Sequence, residues 1–95
     1  MLRFEWDELK NIANIVKHKV TFQEAETVFD DECAITWFDE EHSDIEDRFI
    51  VVGRDSAFRE LMVCHCYRGK NEDVIRIVSA RKATKSEKNL YWRRH

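Results

Sequence analysis

The residues of this sequence best suited to chemistry are cations placed near the end of one apolar run. Val74-Ile75-Arg76-Ile77-Val78-Ser79 is β-branched and apolar apart from its single arginine, which suits a largely buried strand. Arg81 and Lys82 follow at the strand end. Thr84-Lys85-Ser86-Glu87 then has the form of a helix start, with Thr84 as N-cap and Glu87 reaching back as a capping box. Cations at a strand end beside a helix N-terminus suit an anion such as phosphate. The competing reading is an edge strand whose charges face water. A regular strand puts Arg76 with Val78, Ala80 and Lys82 on one face, and Arg81 with Ile75, Ile77 and Ser79 on the other. Both arginines can serve one site only if the strand bulges between them; otherwise one is structural and paired to an acid.

Other groups are candidates on weaker grounds. Lys17 and His18 close a predicted helix, where cations suit the negative end; an imidazole there could also exchange protons. Glu87 could be a cap and nothing more, and Tyr91, one turn beyond it, suits core packing as well as acid chemistry. Cys64-His65-Cys66 invites a zinc site. Period two, however, points His65 opposite to the cysteines, and tetrahedral zinc needs further ligands, so small buried thiols are the better account. Gly53 and Gly69 are the only glycines, too few for a glycine-rich phosphate loop.

The elements that must carry these residues are short. Leu2 to Trp6 alternates as a strand, and Asp7 caps a helix on which Leu9, Ile12, Ala13 and Val16 form one amphipathic face. Thr21 and Glu24 make a second capping box, opening a helix that buries Phe22, Ala25, Val28 and Phe29. Strands are predicted from Cys33 to Phe38, Arg48 to Arg54 and Glu60 to Tyr67, before the arginine-bearing run. The acidic stretch from Asp39 to Asp47 reads as a solvated loop. A last helix runs from about Lys85 toward Trp92. Strands joined by short turns imply an antiparallel meander, and the order as a whole implies a single α+β domain over residues 1–95, with helices on a curled sheet.

No run approaches the roughly 20 apolar residues of a membrane span, and the N-terminus lacks the apolar stretch of a signal peptide, so a cytoplasmic protein is expected. The net charge of −3 hides a division: residues 1–47 carry fourteen acids and four Lys/Arg, residues 48–95 twelve Lys/Arg and five acids. A basic face for RNA is therefore compatible with an acidic total.

The sequence resembles the BrnT toxins, ribonucleases of type II toxin–antitoxin modules. The resemblance is carried by Phe4-Glu5-Trp6-Asp7 with Lys10 and Asn14, Lys17-His18-Lys19-Val20-Thr21-Phe22 with Glu24-Ala25 and Val28-Phe29, and Glu46-Asp47-Arg48 with Gly53. It continues through Ile75-Arg76-Ile77-Val78-Ser79-Ala80-Arg81-Lys82-Ala83-Thr84, Glu87 and Tyr91. Lys19 departs from it, since the pattern has glycine there. The resemblance implies a RelE-like fold with an antiparallel curled sheet, two N-terminal helices and a C-terminal helix. It implies a metal-independent endoribonuclease without cofactors, using ribose 2′-hydroxyl attack, that inhibits translation until a cognate BrnA-like antitoxin binds it in a hetero-oligomer. On that reading Arg48, Arg76 and Arg81 hold or neutralise the phosphate, Lys17 or His18 binds or exchanges a proton, and Glu87 and Tyr91 are further catalytic candidates. The alternatives are a catalytically silent module that grips RNA or protein, and an accessory subunit that binds protein alone.

Overall fold

The computed structural model describes residues 2–93; Met1, Arg94 and His95 lie outside them. Strand β1 (Arg3–Glu5) leads into helix α1 (Glu8–His18), whose N-cap Asp7 accepts from the Leu9 and Lys10 amides. Helix α2 (Phe22–Glu26) opens on the expected Thr21–Glu24 capping box and tightens into a 3₁₀ turn over Thr27–Asp30. Strands β2 (Ile35–Phe38), β3 (Phe49–Arg54), β4 (Glu60–Arg68) and β5 (Val74–Lys82) follow, then helix α3 (Lys85–Arg93).

The five strands form one sheet in the order β1-β5-β4-β3-β2. β2 to β5 are the expected antiparallel meander. The sheet as a whole is mixed rather than antiparallel, because β1 pairs parallel with β5, Glu5 opposite Arg76. A hairpin turn forces antiparallel pairing, but α1 and α2 carry the chain away from β1, and that longer connection frees its direction. The helices also divide between the two faces. Val20, Phe22, Ala25 and Val28 pack on Val51, Leu61, Val63, Ile75 and Ile77. On the opposite face Tyr91 of α3, with Ala83, packs on Ile35, Val52, Met62 and Cys64.

Two features of the fold decide where the candidate residues go. The first is α1. Its apolar stripe points to solvent, with Leu9 77% and Val16 72% exposed, while Asn11 and Asn14 are buried. The reason lies in what α1 packs against. Beyond three-residue β1, the edge of β5 is open, and its backbone groups need partners. Asn14 supplies them: its Nδ2 donates to the Ala80 carbonyl at 2.8 Å and to Val20 O at 2.9 Å, and its Oδ1 accepts from the Ala80 amide at 3.1 Å. Asn11 Oδ1 accepts from the Phe22 amide in the same way at 2.9 Å. Helix α1 thus acts as a substitute strand edge, and its inner face must be polar.

The second feature is a bulge in β5. Cys64 lies opposite Ser79 and His65 opposite Ile77, so Val78 is extra. The shift moves Arg76 onto the face of Arg81, because their β4 partners Cys66 and Met62 share one parity. The regular-strand grouping of Arg76 with Ala80 and Lys82 is therefore overturned. The strand is also not at the sheet edge, the alternative placement for its charges.

Candidate functional site

Arg48, Arg76, Arg81, Glu87 and Tyr91 belong to the sheet face that carries α3, whereas Lys17 and His18 end α1 at the edge of β5. Arg48 immediately precedes β3, so continuing the β3–β4 register by one residue sets it across from Cys66, which lies opposite Arg76. Two strand spacings, about 10 Å, separate Arg48 from Arg76. Arg76 and Arg81 are separated by four residues of β4, about 14 Å between backbones, and each is held by a different acid.

The three arginines differ in what already holds them. Arg81 makes a two-pronged contact with Glu87, at 2.8 and 3.0 Å. Burial pushes the Glu87 carboxyl up, but the Arg81 guanidinium and the Thr84 amide outweigh it and hold it below the usual carboxylate range. Glu87 also completes the expected capping box with Thr84. Arg76 donates to Glu5 at 2.8 Å across the β1–β5 pair, an interface where both side chains are only half-buried. Arg48 has no ion-pair partner among the described residues, and its buried Nε has no hydrogen-bond partner. Its backbone is fixed instead: the Arg48 amide donates to Ser43 Oγ at 3.0 Å, and its carbonyl accepts from the Asp39 amide at 2.9 Å.

Arg48 opens on a cavity of about 300 Å³ that it shares with Glu41, His42, Asp44, Ile45 and Glu46. His42 is the residue that sequence reasoning missed here. Its Nδ1 lies 2.9 Å from Oδ2 of Asp39, a carboxylate only 7% exposed. An imidazole that donates Nδ1–H to a buried acid presents Nε2 as a proton acceptor. The loop of 39–47 is thus solvated except at Asp39. An Asp-x-x-His spacing on one 3₁₀ turn was the available signal, masked by the surrounding acids. Glu46, from the same loop, is held by Arg68 at 2.8 Å.

The remaining candidates lie elsewhere. Lys17 is exposed and His18 half-buried, in the last turn of α1. They follow Asn14, which is bonded to Ala80, so they lie toward the Arg81 end of β5. Tyr91 is buried and donates to Asp31 Oδ2 at 2.7 Å, beside a separate cavity of about 370 Å³ lined also by Arg54, Phe58 and Trp92. Burial, together with Asp31, pushes its phenol up to about 12, unsuited to giving up a proton. His65 is fully buried against Phe29, Phe49 and Tyr67, on the sheet face opposite Cys64 and Cys66. Among the described residues no three His, Cys, Asp or Glu side chains are grouped to hold a metal ion, and no helix is long and apolar enough to cross a membrane.

Comparison with known proteins places this geometry in context. The model of a family described as "ribonuclease toxin, BrnT, of type II toxin–antitoxin system" matches residues 6–87. Among solved structures, the crystal structure of the Brucella abortus ribonuclease toxin BrnT is similar, with a TM-score of 0.69 over 90% of this chain and 100% of that one. Sequence identity is 22%, so this second likeness concerns the fold. None of the curated proteins matches the chain.

Proposed function

This chain belongs to the BrnT family of ribonuclease toxins of type II toxin–antitoxin systems, and we propose that it cleaves RNA on the open part of the α3-bearing sheet face, around Arg48. The observation that supports this reading is a half-buried guanidinium with an unpaired Nε, in one cavity with an acid-oriented imidazole. Phosphodiester cleavage by 2′-hydroxyl attack needs a base at that hydroxyl and positive charge on the phosphate oxygens. Arg48 supplies the charge, from a position where partial burial strengthens it. His42 takes the 2′-hydroxyl proton through Nε2, with Asp39 holding the ring. As the 2′-oxygen bonds to phosphorus the P–O5′ bond breaks, and the leaving 5′-oxygen takes a proton from water, leaving 2′,3′-cyclic phosphate and 5′-hydroxyl ends. Neither step calls for a metal ion.

Arg76 lies in the same row and engages the RNA backbone by exchanging Glu5 for a phosphate. Lys17, His18 and Arg81 form a second group of contacts at the far end of β5. Glu87 and Tyr91 act by position: one fixes Arg81, the other Asp31. The reading includes a RelE-like arrangement, arrest of translation in the cytoplasm, and neutralisation by a BrnA-like antitoxin.

The test is purified chain, freed of antitoxin, incubated with single-stranded RNA in EDTA. Cleavage with 2′,3′-cyclic phosphate ends is expected, slowed more by His42→Ala than by His18→Ala. A catalytically silent RNA-binding module is the second reading, favoured by one observation: Arg76 and Arg81 each already hold an acid. Salt-dependent RNA binding without product would select it.

A further inference from the structure

Helix α1 leaves an apolar stripe without a counterpart among the described residues. Leu9, Ile12, Ala13 and Val16 repeat at i, i+3, i+4 and i+7, the spacing with which one helix receives another. Ile12 is 53% exposed, between Leu9 and Val16 on the same line. The rims of this stripe are unequal. Lys10 and Lys17, two turns apart, run along one side, and Lys19 lies just past the end. None of the three is in an ion pair among the described residues. The acid nearest the other rim, Glu8, is occupied, accepting from Trp6 Nε1 at 3.2 Å and Asn11 Nδ2 at 3.0 Å.

We infer that this face receives an amphipathic helix of the antitoxin, with acidic side chains laid along the Lys10–Lys17 rim. The inference rests on the toxin–antitoxin reading above and adds the surface and the chemistry of the partner. A second copy of this chain fits poorly. Antiparallel two-fold pairing through the stripe would line up Lys10 and Lys17 of each copy along one seam, four cations without an acid between them. The stripe is also only about 10 Å long and one helix face wide, too small a patch to supply alone the roughly 800 Å² per partner that a stable interface buries. Its occupant must therefore continue past the helix, as a longer antitoxin chain does. Because Lys17 flanks the stripe in the last turn of α1, a helix laid here also occupies one of the cations proposed to meet RNA from this side.

The test uses the intact chain with the small protein encoded beside its gene, binding measured by titration calorimetry. The double variant Leu9→Glu/Ile12→Glu changes only exposed positions, and its RNA cleavage should match wild type. Its complex should weaken about 100-fold or more, the loss expected of two anchors in one seam. Lys10→Glu should weaken it about tenfold and flatten its salt dependence. An unchanged affinity in the double variant, with cleavage intact, overturns the inference. So does a wild-type chain that sediments alone as a dimer and becomes monomeric in the double variant. A wild type that neither cleaves RNA nor binds its neighbour removes the toxin reading itself, and this inference with it.

Discussion

Arginines of identical chemistry have three different fates in this molecule, and the difference is whether an acid reaches them. Glu87 reaches Arg81 from six residues away, whereas Glu5 reaches Arg76 from seventy-one. The capping box that places Glu87 was legible in the sequence, but the contact of Glu87 with Arg81 was not read there. The second pairing depends on a parallel match between the first and last strands, with two helices and three strands between them, and nothing local announces it. Arg48 has no ion-pair partner among the described residues. His65 offers a separate test at this scale, since desolvation lowers its pKa from 6.5 to about 4. The unfolded chain binds a proton at 65 below about pH 6.5, while the folded chain stays neutral until about 4. Stability present above pH 6.5 is therefore lost as pH falls toward 4. Between pH 6.5 and 5 the loss should be on the order of 2 kcal/mol, read as a falling urea midpoint. His65→Leu should flatten that slope.

At the scale of elements, the spacing of apolar residues located α1 but gave no sign of which side faces in. A stripe of Leu9, Ile12, Ala13 and Val16 ordinarily marks the buried side of a helix. Here the core-facing residues are asparagines, because the neighbour is a strand edge with unpaired backbone rather than an apolar sheet face. Asn14→Leu tests this directly. It strips partners from the Ala80 amide and carbonyl and from Val20 O, and should cost about 3 kcal/mol, lowering Tm by on the order of 15 °C. The α1 terminus carries a second prediction. Lys19 sits in the left-handed region at φ 61°, its amide closing the helix onto Ile15 O. Glycine occupies that conformation without a Cβ penalty, so Lys19→Gly should stabilise the chain by about 0.5–1 kcal/mol, seen as a Tm raised by a few degrees. The β5 bulge was foreseeable only as a condition: one functional face for both arginines required it, and Val78 supplies it.

For the whole molecule, the meander, the two capping boxes, the C-terminal helix and the opposed faces of His65 and its flanking cysteines were all legible from local patterns. The parallel β1 was not, because strand direction after a helical excursion depends on packing. The strong charge division along the chain is bridged in space at three points among the described residues. Glu5, Glu24 and Glu46 from the acidic half pair with Arg76, Arg59 and Arg68 from the basic half. On the α3-bearing face Arg76 and Arg81 are occupied by acids, and Arg48 is the guanidinium most prepared to meet RNA. Arg48→Ala, assayed for single-turnover RNA cleavage in EDTA, therefore probes the proposed site most directly. The rate should fall about 100- to 1000-fold while Tm and antitoxin binding stay at wild-type values. A rate within twofold of wild type would contradict the placement of the reaction at this face.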